Sequence, residues 1–213
     1  MPQTSPPAPR WRRRKTDRPG EIVAAALAVF AEKGFAAARL EDIARRAGVS
    51  KAALYLYFET KTDLFAAVVA QAVVPNIDRI RPLAEAYEGR FADVAPLVLA
   101  KMAEAAQTTP VGGVIKMVVG ESRNFPDLAR VWHDAVASKA LALIAGMIER
   151  AQARGEVRAG DARLFAVSLV GPMLMGLLWR EVFTPAGADP IPLPELAAQH
   201  ARTVLGGMLE DRA

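Results

Sequence analysis

Cysteine is absent from this 213-residue chain. Disulfides, thiolate zinc sites and thiol catalysis are excluded with it, and nothing points to an oxidising compartment. Histidine is scarce. His133 and His200 are the only two and lie far apart, so a metal would have to rest on carboxylates, and no ligand spacing supports one. Strand signatures are missing too: there is no sustained apolar–polar alternation and no Asn-Gly or Asp-Gly hairpin turn. The chain carries no Gly-x-Ser-x-Gly, no phosphate-binding glycine loop, no zinc signature and no recognisable nucleophile–base pair. An enzyme, a resident metal and a cofactor are therefore not expected. No apolar stretch follows the basic N-terminus within signal-peptide length. The longest apolar run, Leu164 to Trp179, is interrupted by Ser168, Gly171 and Pro172 and is short for a membrane span. The expectation is a cytoplasmic protein with no membrane partner.

What is present is apolar residue in quantity, 52% of the chain, enough for a sizeable core. Charge is unevenly spread. Residues 1–61 hold 12 Lys and Arg against 6 Asp and Glu, a net of +6, and the remainder is slightly acidic. A basic first quarter suits a polyanionic partner at one end, nucleic acid or membrane surface. The membrane reading fails on pattern, because the first helix has no basic face opposite an apolar one.

Residues 1–17 are rich in Pro, Ser and Arg without periodicity and read as a disordered basic arm. Its run Arg10-Trp11-Arg12-Arg13-Arg14-Lys15 has two open uses, a grip on DNA or a solubilising tail. Helical spacing follows almost throughout. A first helix is expected from about Pro19 to Lys33, with Ile22, Ala26, Val29 and Phe30 inward and Gly34 as its stop. A second covers about Leu40 to Ala47. Ser50 caps a third, in which Leu54 and Phe58 face inward. Thr60 and Asp63 form a capping-box-like pair opening a fourth. Further helices are expected near 76–88, 92–107, 110–122, 127–154, 161–183 and 193–210, with a kink at Pro172. The segment 184–194 holds four prolines and reads as a loop.

Two short helices joined by Ala47-Gly48-Val49-Ser50 have helix-turn-helix dimensions. In such a unit the second helix enters the DNA major groove. With Leu54 inward, Lys51, Ala52 and Tyr55 share the outward face. Lysine can donate to guanine, alanine can touch a thymine methyl, and tyrosine offers a ring and a hydroxyl. Lys61 stands in the first turn of the fourth helix, where the helix dipole disfavours a cation. A phosphate in front of it would reverse that sign. Tyr57 and Arg39 flank the same surface. The tyrosines read equally as partly buried aromatics, and Ala52 and Ala53 as plain helix formers.

The run from Gly34 to Phe65 resembles the DNA-binding segment of the TetR family. The match is carried by Gly34-Phe35, Asp42-Ile43-Ala44, Ala47-Gly48-Val49-Ser50, Leu54-Tyr55, Tyr57-Phe58 and Lys61 with Leu64. Ile22, Ala26 and Phe30 extend it to about residues 18–70. The resemblance implies an all-α fold, with a three-helix DNA-binding domain at 18–61 and a larger helical ligand-binding and dimerisation domain at 62–213. It implies that the recognition helix runs from Ser50 to Tyr57, that Lys51, Ala52, Ala53 and Tyr55 face bases, and that Tyr57 and Lys61 hold phosphates. One departure is Arg39, which stands where the family often has Thr or Ser. It implies a ligand-responsive regulator, usually a repressor, binding a palindromic operator as a homodimer built on the last helices and released by a small-molecule effector. Among the bulky residues after 100, Met102, Met117, Trp132, Phe165 and Met173 are the candidate lining of an effector cavity, with ordinary core as the alternative.

Overall fold

The structure, a computed structural model, describes residues 18–209. The arm at 10–15 lies outside the described residues. Eleven α-helices make up nearly all of the described chain, and a single isolated bridge, Val157 to Leu209, is its only β pairing. The fold is all-α, as expected.

Helix α1 (Arg18–Ala37) buries Ile22, Ala26, Val29 and Phe30, the stripe expected from spacing. Its helical geometry breaks at Gly34, where φ is 74° and ψ 172°. Helix α2 (Leu40–Ala47) ends on Gly48 in the left-handed conformation, whose N–H returns to the α2 carbonyls. Helix α3 (Lys51–Tyr55) starts at Ser50, whose hydroxyl accepts from the Ala53 N–H at 3.1 Å. Leu54 and Ile43 are fully buried and tie α3 and α2 to α1. Helix α4 (Lys61–Ala72) opens with a reciprocal capping box: Asp63 N–H donates to Thr60 Oγ1 at 3.0 Å, and Thr60 N–H to Asp63 Oδ2 at 2.9 Å.

The remaining helices are α5 (Val74–Ala86), α6 (Phe91–Thr108), α7 (Val111–Glu121), α8 (Pro126–Trp132), α9 (Ser138–Ala153), α10 (Ala162–Leu178) and α11 (Leu193–Met208). They pack α11 on α6 and α10, α10 on α9, and α5 on α9 and α6. Two π-helical turns were not expected. One, His133–Ala137, joins α8 to α9 inside what spacing suggested was one helix, and the other, Trp179–Phe183, extends α10. Helix α10 runs on across Pro172, where a kink was expected. The helical runs 126–153 and 162–186 are long and apolar enough, by length and composition alone, to cross a membrane. The second exceeds the short run read from sequence because the turns at 179–186 continue it. Both pack in the bundle, α10 against α9, α6 and α11.

Besides the packing of α1 on α4 and α7, a polar clamp joins the first three helices to the rest. The chain leaving Gly34 presents N–H groups on one side and carbonyls on the other. The Glu121 carboxylate, at the end of α7, accepts from Phe35 N–H at 2.6 Å and Ala36 N–H at 2.5 Å. Lys61 Nζ donates to the carbonyls of Phe35 (2.5 Å), Ala38 (3.0 Å) and Ala36 (3.1 Å). Four phenylalanines close around this clamp. Phe35 lies 5.5 Å from Phe30, 6.0 Å from Phe65 and 5.1 Å from Phe125, centroid to centroid. Gly34 is required twice over: its φ disfavours any side chain, and a Cβ there would stand 2.6 Å from Glu121 Oε1. Gly34→Ala is expected to destabilise the fold by about 1–3 kcal/mol, the range for a strained backbone conformation. Urea denaturation followed by circular dichroism checks this, as a fall in midpoint at unchanged slope.

Candidate nucleic-acid interface and effector cavity

The outward face of the helix-turn-helix is assembled from α3 and the start of α2. Lys51, Ala52, Tyr55, Leu56 and Tyr57 are all exposed, while Leu54 between them is fully buried. One buried side chain thus fixes the rotation of a five-residue helix. Ala53 is half-buried, and its N–H is taken by Ser50, so the Ser50 hydroxyl serves as the helix cap. Arg39 precedes α2 with extended backbone and makes no side-chain cap. Its guanidinium forms no hydrogen bond or ion pair with any described residue, which leaves it open to an external acceptor.

Lys51 is engaged in the free protein. It pairs with Glu41 in the first turn of α2, and its ammonium lies 5.8 Å from the Tyr55 ring centre. The hydrogen bond to Glu41 raises the lysine pKa above its ordinary value and lowers that of the carboxyl. Both groups are open to solvent, so the pair exchanges readily with an external anion.

Lys61 is also engaged in the free protein. Its position suggested a phosphate ahead of α4, but the ammonium turns inward onto three carbonyls and sits 4.5 Å from the Phe35 ring centre. Burial pushes its pKa down, opposed by the negative field of Glu121. The unfavourable helix-end dipole is offset by the carbonyl cage, with no need of an anion. Leu56 was missed from sequence. It is 83% exposed, the most exposed large apolar residue described. Leu56 lies just beyond the last turn of α3, outside the four-residue spacing that puts Lys51 and Tyr55 on one face.

A cavity of about 350 Å³ lies among α5, α6, α7, the end of α8, α9, α10 and the π turn after α8. Of the five residues expected to line it, Met102, Trp132 and Met173 do so. Met117 and Phe165 do not. On α7 the lining positions are Val111 and Ile115, one turn apart, and Met117 falls on the opposite side, buried in core. On α10 the lining face is Val167, Val170, Gly171, Met173, Leu174 and Leu177, while Phe165 faces the turn before α10, beneath Arg158 and against Gly160. The π turn brings Trp132, Val136, Ala137 and Ala140 to one wall, a use such insertions often have. A second exposed apolar surface runs along the outside of α10 through Leu164, Met175, Val182 and Phe183.

Comparison with known proteins adds an independent line. The family described as "Bacterial regulatory proteins, tetR family" matches residues 22–68, and "Tetracyclin repressor-like, C-terminal domain" matches residues 88–191. The HTH-type transcriptional activator FasR of Mycolicibacterium smegmatis is 39% identical over 67 residues, which is 32% of this chain and 31% of FasR. The match thus spans about a third of that relative's length. The HTH-type transcriptional repressor BepR of Brucella suis is 27% identical over 167 residues, covering 74% of this chain and 77% of BepR. Among solved structures, the regulator FadR of Bacillus subtilis in complex with stearoyl-CoA superposes with a TM-score of 0.72 at 21% identity, over 88% of this chain and 98% of that one. The FadR likeness shows the fold alone. With two family matches that cover the helix-turn-helix and most of the helical body, the chain belongs to the TetR family of bacterial transcriptional regulators.

Proposed function

We propose that the chain is a one-component repressor of the cytoplasm. It binds a palindromic operator as a homodimer and is released by a small molecule entering the cavity; it is not an enzyme. The observation that carries the DNA reading is the rotation of α3: Leu54 is buried, and Lys51, Ala52 and Tyr55 face solvent together beside the open guanidinium of Arg39. Lys51 would exchange Glu41 for a guanine edge, Ala52 would let the helix sit close, and Arg39 and Tyr57 would hold phosphates. The 18–61 segment is the DNA-binding unit in this reading, and 62–213 the effector and dimerisation unit.

The exposed apolar face of α10 supports the dimer. Leu164 is 65% and Met175 49% exposed, and contiguous apolar surface of this kind marks association sites. Two recognition helices would then meet successive major grooves about 34–36 Å apart. Release follows if the effector binds better to a conformation with the wrong spacing. Many regulators of this kind repress, and BepR is named a repressor, although FasR is named an activator.

Leu56 adds a base contact. It flanks Tyr55 on the same surface, and its natural partner in a major groove is the thymine methyl.

Three outcomes are expected. Fluorescence anisotropy with duplex DNA from upstream of the gene should show a preference of about a thousandfold over a scrambled duplex. Lys51→Ala and Tyr55→Ala should each lower specific affinity by about ten- to a hundredfold while the protein stays dimeric. Intact affinity in both variants would sink the assignment. Replacing operator thymines with uracil one at a time should weaken wild-type binding at one position per half-site, and Leu56→Ala should be indifferent to that same change. If uracil costs the variant as much as the wild type, Leu56 does not read a methyl. Met175→Asp should give a monomer in sedimentation velocity with loss of operator binding; a persisting dimer would move the interface away from α10.

A further inference from the structure

The cavity carries information about what fills it. The inference rests on the effector reading above and concerns the chemistry of the molecule. Its walls come from six helices and a π turn, and of all the side chains that line it only Asn76 and the indole of Trp132 bear a polar atom. No charged residue lines it. Two cations bond to its walls without lining it. Arg79 Nη1 donates to Asn76 Oδ1 at 3.2 Å, and Arg180 donates to the Ala106 carbonyl and pairs with Glu181.

Asn76 is held loosely. Its Nδ2 reaches the Ala72 carbonyl at 3.4 Å and Thr109 Oγ1 at 3.3 Å, both long for hydrogen bonds. Thr109 keeps its own bond to the Ala105 carbonyl, at 2.6 Å, if the amide lets go. A guest oxygen can therefore compete for an Nδ2 hydrogen while Oδ1 keeps its bond from Arg79. Water is a poor tenant here, since a buried water needs two to four polar partners and the walls supply almost none. The volume of about 350 Å³ lies within the range of small-molecule sites.

We propose that this cavity selects an uncharged, mainly hydrocarbon or aromatic molecule with one accepting oxygen, received by Asn76 Nδ2, and rejects molecules whose buried part carries a carboxylate or an ammonium. A charge placed among these walls has no counterion and loses its hydration. A neutral body loses nothing by the transfer, and its single oxygen meets the one amide.

The test uses the full chain and a matched set of twelve-carbon probes: 1-dodecanol below its solubility limit, and laurate and dodecyltrimethylammonium below their micelle-forming concentrations. Isothermal titration calorimetry should show dodecanol binding, with both ions about a hundredfold weaker or more. Asn76→Leu should weaken dodecanol about five- to tenfold, the worth of one neutral hydrogen bond. Gly171→Leu should abolish binding. Gly171 lines the cavity, and a Cβ there meets nothing within 4 Å, so the new side chain fills the space without distorting the helix. Ala140→Phe fills the opposite wall as an independent check. Laurate or the ammonium binding as tightly as the alcohol, dodecanol binding that survives both filling variants, or no probe binding at all would each overturn the proposal. Operator anisotropy keeps the two readings apart. Dodecanol that binds the cavity yet leaves operator affinity unchanged defeats the release mechanism and leaves the ligand class standing. Intact operator binding with no probe uptake does the reverse.

Discussion

The structure turns on the clamp at residues 35–38. A chain that leaves a helix through a left-handed glycine exposes unpaired N–H groups and carbonyls, and those groups must be satisfied before they can be buried. Glu121 takes two of the N–H groups and Lys61 takes three carbonyls. The two charges come from different helices, α7 and α4, and meet on a segment belonging to neither. Beside them Phe30, Phe35, Phe65 and Phe125 pack ring against ring, which half-buries the bonds at Phe35 and Ala38. The orientation of the helix-turn-helix relative to the helical body is fixed here.

That geometry gives the effector reading a physical route. Helix α7 lines the cavity through Val111 and Ile115 and ends in Glu121 on the backbone of α1. The run after Phe125 reaches Trp132 and the π turn, which form another wall. A guest that shifts α7 or α8 by a fraction of an ångström acts on the clamp directly. Packed interfaces respond to such shifts by switching between arrangements rather than by deforming smoothly.

The recognition face follows a different rule. Helix α3 has five residues, too few to be stable alone. It holds its shape because Ser50 caps it, Gly48 turns the chain into it and Leu54 anchors it. Everything else on it is free to be chosen for contact. The ion pair of Lys51 with Glu41 ties α3 to the first turn of α2 in the free protein.

Much of this was legible in the chain. Spacing alone gave the α1 stripe, the turn at Gly48, the Ser50 cap and the Thr60–Asp63 box, because each is a local rule in which residues a few positions apart satisfy one another. The same locality placed Lys51 and Tyr55 on one face and Met102, Trp132 and Met173 among the cavity candidates. Tertiary structure decided what depends on distant partners. For Lys61 the spacing suggests a phosphate, and the fold brings to it the carbonyls of Phe35, Ala36 and Ala38, some 25 residues away. Met117 and Phe165 are as bulky as the true lining residues, but helix rotation turns them from the cavity, and rotation is set by neighbours. The π turns leave no mark on an apolar pattern, since one extra residue per turn changes which side chains face inward without changing which are apolar. The sequence by itself determined the helices and their caps; only the packing determined which charge is spent inside the fold and which remains for a partner.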